Sequence, residues 1–154
     1  MSRTLEIFTD GACSGNPGEA SIGIVILEQG KKIKELAKPI GQATNNIAEY
    51  TACLCAFEEA RVLKADQIAL YTDSELMFKQ LTGQYEVKNV SLKLLFDQIQ
   101  QLAQGFKRID IKHIPREKNQ DADQLATQVL KKKQAKVVAP LFHHSGEESP
   151  SSKG

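Results

Sequence analysis

Apolar residues along the chain follow two rhythms, one of period two and one near 3.6, and the switches between them outline the elements. Thr4–Thr9 (TLEIFT) is short, apolar and β-branched and stops at Asp10-Gly11, as a buried strand does on entering a turn. Residues 11–20 (GACSGNPGEA) hold three glycines and a proline and are predicted as loop. Ile22–Leu27 and Lys32–Ile40 read as strands joined by a hairpin at Glu28-Gln29-Gly30-Lys31, which makes strands one to three an antiparallel meander. From Asn46 to Leu63, residues Ala48, Ala52, Cys53, Ala56, Phe57, Ala60 and Leu63 recur at steps of three and four, an amphipathic helix preceded by the capable caps Thr44-Asn45-Asn46. Gln67–Thr72 is a fourth strand and ends in Asp73; the helix before it makes a crossover to a parallel neighbour the economical topology. Ser74–Leu81 is predicted as a short helix stopped by Gly83, and Ser91 as the cap of a helix carrying Leu92, Leu95, Phe96, Ile99 and Leu102. Phe106–Ile114 is a fifth strand broken by Pro115, and residues 119–133 form a last helix with Ala122, Leu125, Ala126 and Val129 inward. The order β-β-β-α-β-α-α-β-α describes an α/β domain with a mixed five-stranded sheet flanked by helices.

That pattern fills residues 1–133. The stretch 134–154 is expected to be a C-terminal extension, at least partly disordered through its polar last ten residues, with Val137–Phe142 apolar enough to dock. Composition agrees with one globular domain: 154 residues, 41% hydrophobic and 25% charged. Twenty Lys+Arg against nineteen Asp+Glu leave a net charge of +1, so any footprint for a polyanion must be local. No run approaches the roughly 20 apolar residues of a membrane span, and Met1-Ser2-Arg3 leads straight into a strand, so neither membrane insertion nor secretion is expected. The three cysteines are odd in number, and Cys53 and Cys55 point apart on one helix, which suits a reducing, cytoplasmic setting. The glycines of 11–18 match neither G-x-G-x-x-G nor G-x-x-x-x-G-K-[ST], which excludes the common nucleotide-binding loops.

Carboxylates carry the candidate chemistry. Asp10 and Asp73 each follow a Thr at the C-terminal end of an apolar strand, where open α/β sheets place their sites. If those strands pair, their backbones run about 4.8 Å apart and the two carboxylates face each other. Glu49 falls amid the inward arc of Ala52, Cys53, Ala56 and Ala60, with no Lys or Arg on that arc; such a charge must be neutralised, paired or metal-bound. Asp121 and Asp123 both lie near the edge of the last helix's apolar face, and periodicity does not choose between them. Converging carboxylates without a cation repel one another, and hard oxygen donors without a Cys/His cluster favour Mg²⁺ or Mn²⁺. Such sets direct water onto phosphodiesters.

Four stretches, FTDGACSGNPG (8–18), TNNIAEYTA (44–52), LYTDS (70–74) and HIPREKNQDADQLA (113–126), together resemble the type 1 ribonuclease H family, from about Thr4 to about Lys133. The resemblance implies an endonuclease that hydrolyses the RNA strand of RNA/DNA hybrids, giving 5′-phosphate and 3′-hydroxyl ends. It implies that Asp10, Glu49, Asp73 and Asp123 hold two Mg²⁺ ions, with Mn²⁺ a substitute. It also implies the family's sheet, with strands four and five parallel on the far side of strand one. By position, Asn16, Thr44 and Asn45 would contact the hybrid backbone, and the Cys13–Asn16 loop would approach ribose 2′-hydroxyls. Backbone contacts carry no sequence information, so cleavage is expected to be largely sequence-independent.

The sequence departs from the family pattern in places. Ile114–Asn119 is too short for the flexible His-bearing loop of many members; His113 reads as packing or surface, and Arg116 is the candidate for an auxiliary phosphate contact. The basic handle of some members is reduced to Gly83–Val90, and no hybrid-binding module precedes Thr4. A monomer is expected, and the Met1 start before strand one fits a free-standing enzyme. A catalytically idle binding module of the same fold and a different nuclease or transposase on it are the alternatives; the full carboxylate set argues against the first, and the GNPG loop together with the TNN cap against the second.

Overall fold

The computed structural model describes the backbone of residues 2–142 and the side chains of residues 2–134. Five strands, β1 (Thr4–Cys13), β2 (Gly18–Glu28), β3 (Lys31–Ala43), β4 (Gln67–Thr72) and β5 (Arg108–His113), form one sheet in the order β3-β2-β1-β4-β5. β1–β2 and β2–β3 are antiparallel, while β1–β4 and β4–β5 are parallel. The helices are α1 (Asn45–Val62), α2 (Glu75–Leu81), α3 (Val90–Ala103) and α4 (Gln120–Phe142), with a 3-10 turn at Arg116–Lys118. This is the predicted mixed sheet, with strands one to three antiparallel and four and five parallel to strand one.

The period of two in β2 sorts the helices onto two faces. Ile22, Ile24 and Ile26 join the core under α1, together with Tyr50, Phe57, Leu5, Ile7, Ile68 and Leu70. Ser21 and Gly23 face the other way and meet α4, the Ser21 hydroxyl donating to the Ala126 carbonyl. α1 lies close on the sheet because its inner face is small: Ala48, Ala52, Cys53, Ala56 and Ala60 are all fully buried. The hairpin at Gln29-Gly30 has positive φ at both residues (52° and 80°), as a two-residue turn matching strand twist requires.

Several boundaries differ from the sequence reading. β1 does not stop at Thr9 but runs to Cys13, because Gly11, Ala12 and Cys13 pair with Ile22, Ser21 and Ala20; the loop predicted over 11–20 shrinks to residues 14–17. β3 likewise runs on to Ala43, paired with Gly18. α3 is capped by Asn89, whose side chain accepts from the Leu92 N–H at 3.0 Å, and not by Ser91. β5 spans only Arg108–His113, the part that pairs with β4. α4 continues past Lys133 to Phe142. The side chains of Val137–Phe142 and the expected disorder of the last ten residues lie outside the described residues.

Candidate active site

Asp10 in β1, Asp73 just past β4 and Glu49 near the start of α1 converge around the central strand of the sheet. Asp10 sits in β1 opposite Gly23 of β2, and Asp73 directly follows β4, whose parallel pairing with β1 aligns Phe8 with Tyr71. Glu49 enters from the first turns of α1. Its approach depends on Gly11: a Cβ there would lie 2.7 Å from the Ala48 carbonyl carbon and 2.9 Å from the Glu49 nitrogen. One oxygen from each of Asp10, Glu49 and Asp73 lies within 4.8 Å of the others.

Asp123 arrives from the opposite face. A Cβ on Gly23 would lie 2.2 Å from the Ala122 carbonyl oxygen, so the missing side chain lets α4 settle against β2 next to Asp10. Asp123 is half-buried and acts on Asp10 through hydrogen bonding and charge, whereas Asp121 is exposed and faces the charge of Lys32. The choice that periodicity left open thus falls on Asp123 as the cluster's neighbour.

Electrostatically the cluster is overloaded with negative charge. Asp10, 4% exposed, is pushed up to about 8, first by burial, then by the charge of Asp73 and by hydrogen bonding and charge from Asp123, while a hydrogen bond with Glu49 acts in the opposite direction. Glu49 is driven well above the ordinary carboxylate range by burial, then by the charges of Asp10 and Asp73, and the Gly11 N–H offsets this only partly. No Lys or Arg pairs with any of the four among the described residues. Glu49 Oε1 is buried without a hydrogen-bond partner. A buried oxygen lacking a donor, in an all-carboxylate set with no counter-charge, fits a hard divalent cation.

Other predicted residues are placed more loosely. Thr44 caps α1, its hydroxyl accepting from the Ile47 N–H at 3.2 Å, and the Asn45 N–H donates to Asn16 Oδ1 at 3.0 Å, so the three form one corner, exposed at Asn16 and Asn45 and half-buried at Thr44. The Cys13 thiol donates to the Ala43 carbonyl at 3.6 Å, and burial followed by the charge of Glu49 raises its pKa, which disfavours a thiolate nucleophile. Arg116 stands exposed in the 3-10 turn with no ion pair among the described residues. His113 is exposed and stacks on Phe78 with centroids 5.6 Å apart, as the packing-or-surface reading expects.

Sequence reasoning missed Asn119. This residue is 1% exposed, and its Nδ2 donates to the Thr9 carbonyl at 2.8 Å and to Asp73 Oδ2 at 3.0 Å. The sequence reading takes it only as the first residue of the last helix, and nothing local points to partners 110 and 46 residues away.

The reverse transcriptase-like family model matches residues 8–129. Ribonuclease HI of Halobacterium salinarum is 40% identical over 127 residues, covering 82% of this chain and 64% of that protein. A bifunctional protein of Mycobacterium tuberculosis is 37% identical over 126 residues, covering 80% of this chain and 35% of that protein. The chain therefore spans about a third of the mycobacterial relative and under two thirds of the halobacterial one. Among solved structures, RNase H1 from Halobacterium salinarum superposes with a TM-score of 0.82 at 38% identity, covering 84% of this chain and 98% of that one. LC11-RNase H1 in complex with RNA/DNA hybrid gives a TM-score of 0.80 at 36% identity, covering 84% and 99%.

Proposed function

Because the chain belongs to the type 1 ribonuclease H family, we propose that it is an endoribonuclease hydrolysing the RNA strand of RNA/DNA hybrids. The observation that carries this reading is the trio Asp10, Glu49 and Asp73, brought within 4.8 Å with no cationic partner, in a chain whose relatives are named ribonucleases H. A solved relative binds RNA/DNA hybrid, which supports that substrate here.

Asp10, Glu49, Asp73 and Asp123 would hold two Mg²⁺ ions, or Mn²⁺ in their place. When bound, such ions supply an activated water and charge stabilisation at the leaving 3′-oxygen, which leaves 5′-phosphate and 3′-hydroxyl ends. The chain's own part is arrangement. The β1–β4 pairing sets the separation of Asp10 and Asp73, Glu49 closes the site from α1, and Asp123 closes it from α4. The corner of Asn16, Thr44 and Asn45 offers neutral donors to the hybrid backbone; the Thr44 hydroxyl accepts inside the helix cap and keeps its own hydrogen for a phosphate. The Cys13–Asn16 loop approaches ribose 2′-hydroxyls, which tell RNA from DNA. Contacts of this kind hold register without reading bases, so cutting is largely sequence-independent. Arg116 adds an auxiliary phosphate contact. Residues 1–133 make the catalytic unit and 134–154 an extension to it, in a monomeric, cytoplasmic protein.

The test is a panel of end-labelled substrates. Expected is cleavage of the RNA strand of a hybrid in Mg²⁺ or Mn²⁺, abolished by EDTA, with duplex RNA and duplex DNA untouched and 5′-phosphate on the products. An inert hybrid, or equal cleavage of all three, overturns the reading.

A further inference from the structure

Asn119 contributes no charge to the cluster and yet touches the surroundings of three of its members. We propose that Asn119 is a positioning residue for the reaction, its side-chain amide clamping Asp73 against the end of β1 so that Asp73 presents its carboxylate in one orientation to the shared cation site. This inference rests on the function proposed above.

Two acceptors surround one atom of the amide, the Thr9 carbonyl at 2.8 Å and Asp73 Oδ2 at 3.0 Å, and only the NH₂ end satisfies both. Thr9 immediately precedes Asp10. The Asn119 backbone carbonyl in turn accepts from the Asp123 N–H at 3.1 Å, so one residue connects β1 at Asp10, the end of β4 at Asp73 and α4 at Asp123. The other end of the amide, Oδ1, is buried without a partner. That is a standing cost, and a leucine of similar size would fill the space without it. What asparagine adds is a neutral double donor. A lysine or arginine here would pair with Asp73 and cancel charge that cation binding uses; the amide orients the carboxylate without neutralising it.

The experiment compares the full chain with its Asn119→Ala variant by calorimetric Mg²⁺ titration and by steady-state kinetics on a labelled hybrid. The expected result is a Mg²⁺ dissociation constant raised about threefold or more and kcat lowered about tenfold or more, with KM for the hybrid within about twofold. A lower melting temperature with Mg²⁺ affinity and kcat both unchanged makes Asn119 a structural cap only and overturns the inference. Should the variant not fold, the wild-type chain decides by NMR: the Asn119 side-chain amide resonances shift on Mg²⁺ addition, and an unmoved pair overturns the proposal. A wild-type chain that neither binds Mg²⁺ nor cuts the hybrid overturns the function along with it, whereas an active wild type with an equally active variant overturns only the role of Asn119.

Discussion

Replacing Asp10 by asparagine is expected to stabilise the ion-free protein, and increasingly so as the pH rises. In the folded chain Asp10 titrates near 8, against an ordinary 3.8 when exposed, because burial and the charge of Asp73 disfavour its ionised form. The folded state therefore holds a proton that the unfolded state has released, and stability falls as pH climbs between these two values. At about 1.4 kcal/mol per pH unit the gap sets a ceiling of about 6 kcal/mol. The replacement recovers less than this, since an amide there matches its carboxylate neighbours imperfectly, and a buried polar group left partly unsatisfied costs about 1–3 kcal/mol. A net gain of about 2–4 kcal/mol at pH 8.5 remains, or about 5–15 °C in melting temperature for a domain of this size. Thermal unfolding followed by circular dichroism in EDTA, at pH 5 and pH 8.5, measures it. The variant should melt close to the wild type at pH 5 and well above it at pH 8.5, and saturating Mg²⁺ should shrink the difference by stabilising the wild type through linkage. A melting difference that does not change with pH, or a variant less stable than the wild type at pH 8.5, refutes the idea that these carboxylates are forced together.

Gly23→Ala places a Cβ 2.2 Å from the Ala122 carbonyl oxygen, so α4 must move; chemical denaturation should show a loss of about 1–3 kcal/mol, and hybrid cleavage should fall as Asp123 is carried away from Asp10. Arg116→Ala should lower the cleavage rate several-fold while Mg²⁺ affinity measured by calorimetry stays put; unchanged turnover would make Arg116 an ordinary surface residue.

Much of the fold was legible because its elements obey single rhythms. Gln67–Thr72 reads off the sequence with the bounds the structure gives, and the small inner face of α1 is visible as alanines at helical spacing. The second half of β1 was not legible. Gly11 and the glycine-rich run after it look like loop locally, and strand pairing with Ala20–Ile22 overrides that preference. The cap of α3 was misplaced by two residues because Asn89 and Ser91 are both good caps, and local chemistry does not rank them. In the site, Asp10, Glu49 and Asp73 announced themselves as acidic residues in apolar surroundings. Asp123 could not be separated from Asp121 by period alone, since what separates them is the close approach of α4 permitted by Gly23. Asn119 carried no signal at all, because a neutral side chain in a turn is unremarkable until its distant partners are known.

The most direct test of the central claim, that a cluster of mutually repelling carboxylates relieved by divalent ions cuts RNA, is the Mg²⁺ dependence of hybrid hydrolysis in the wild type and in Glu49→Gln. The account predicts wild-type cleavage that requires Mg²⁺ and a loss of about a thousandfold in kcat for the variant, its circular dichroism spectrum intact. Cleavage that persists in EDTA, or a Glu49→Gln enzyme as fast as the wild type, would contradict it.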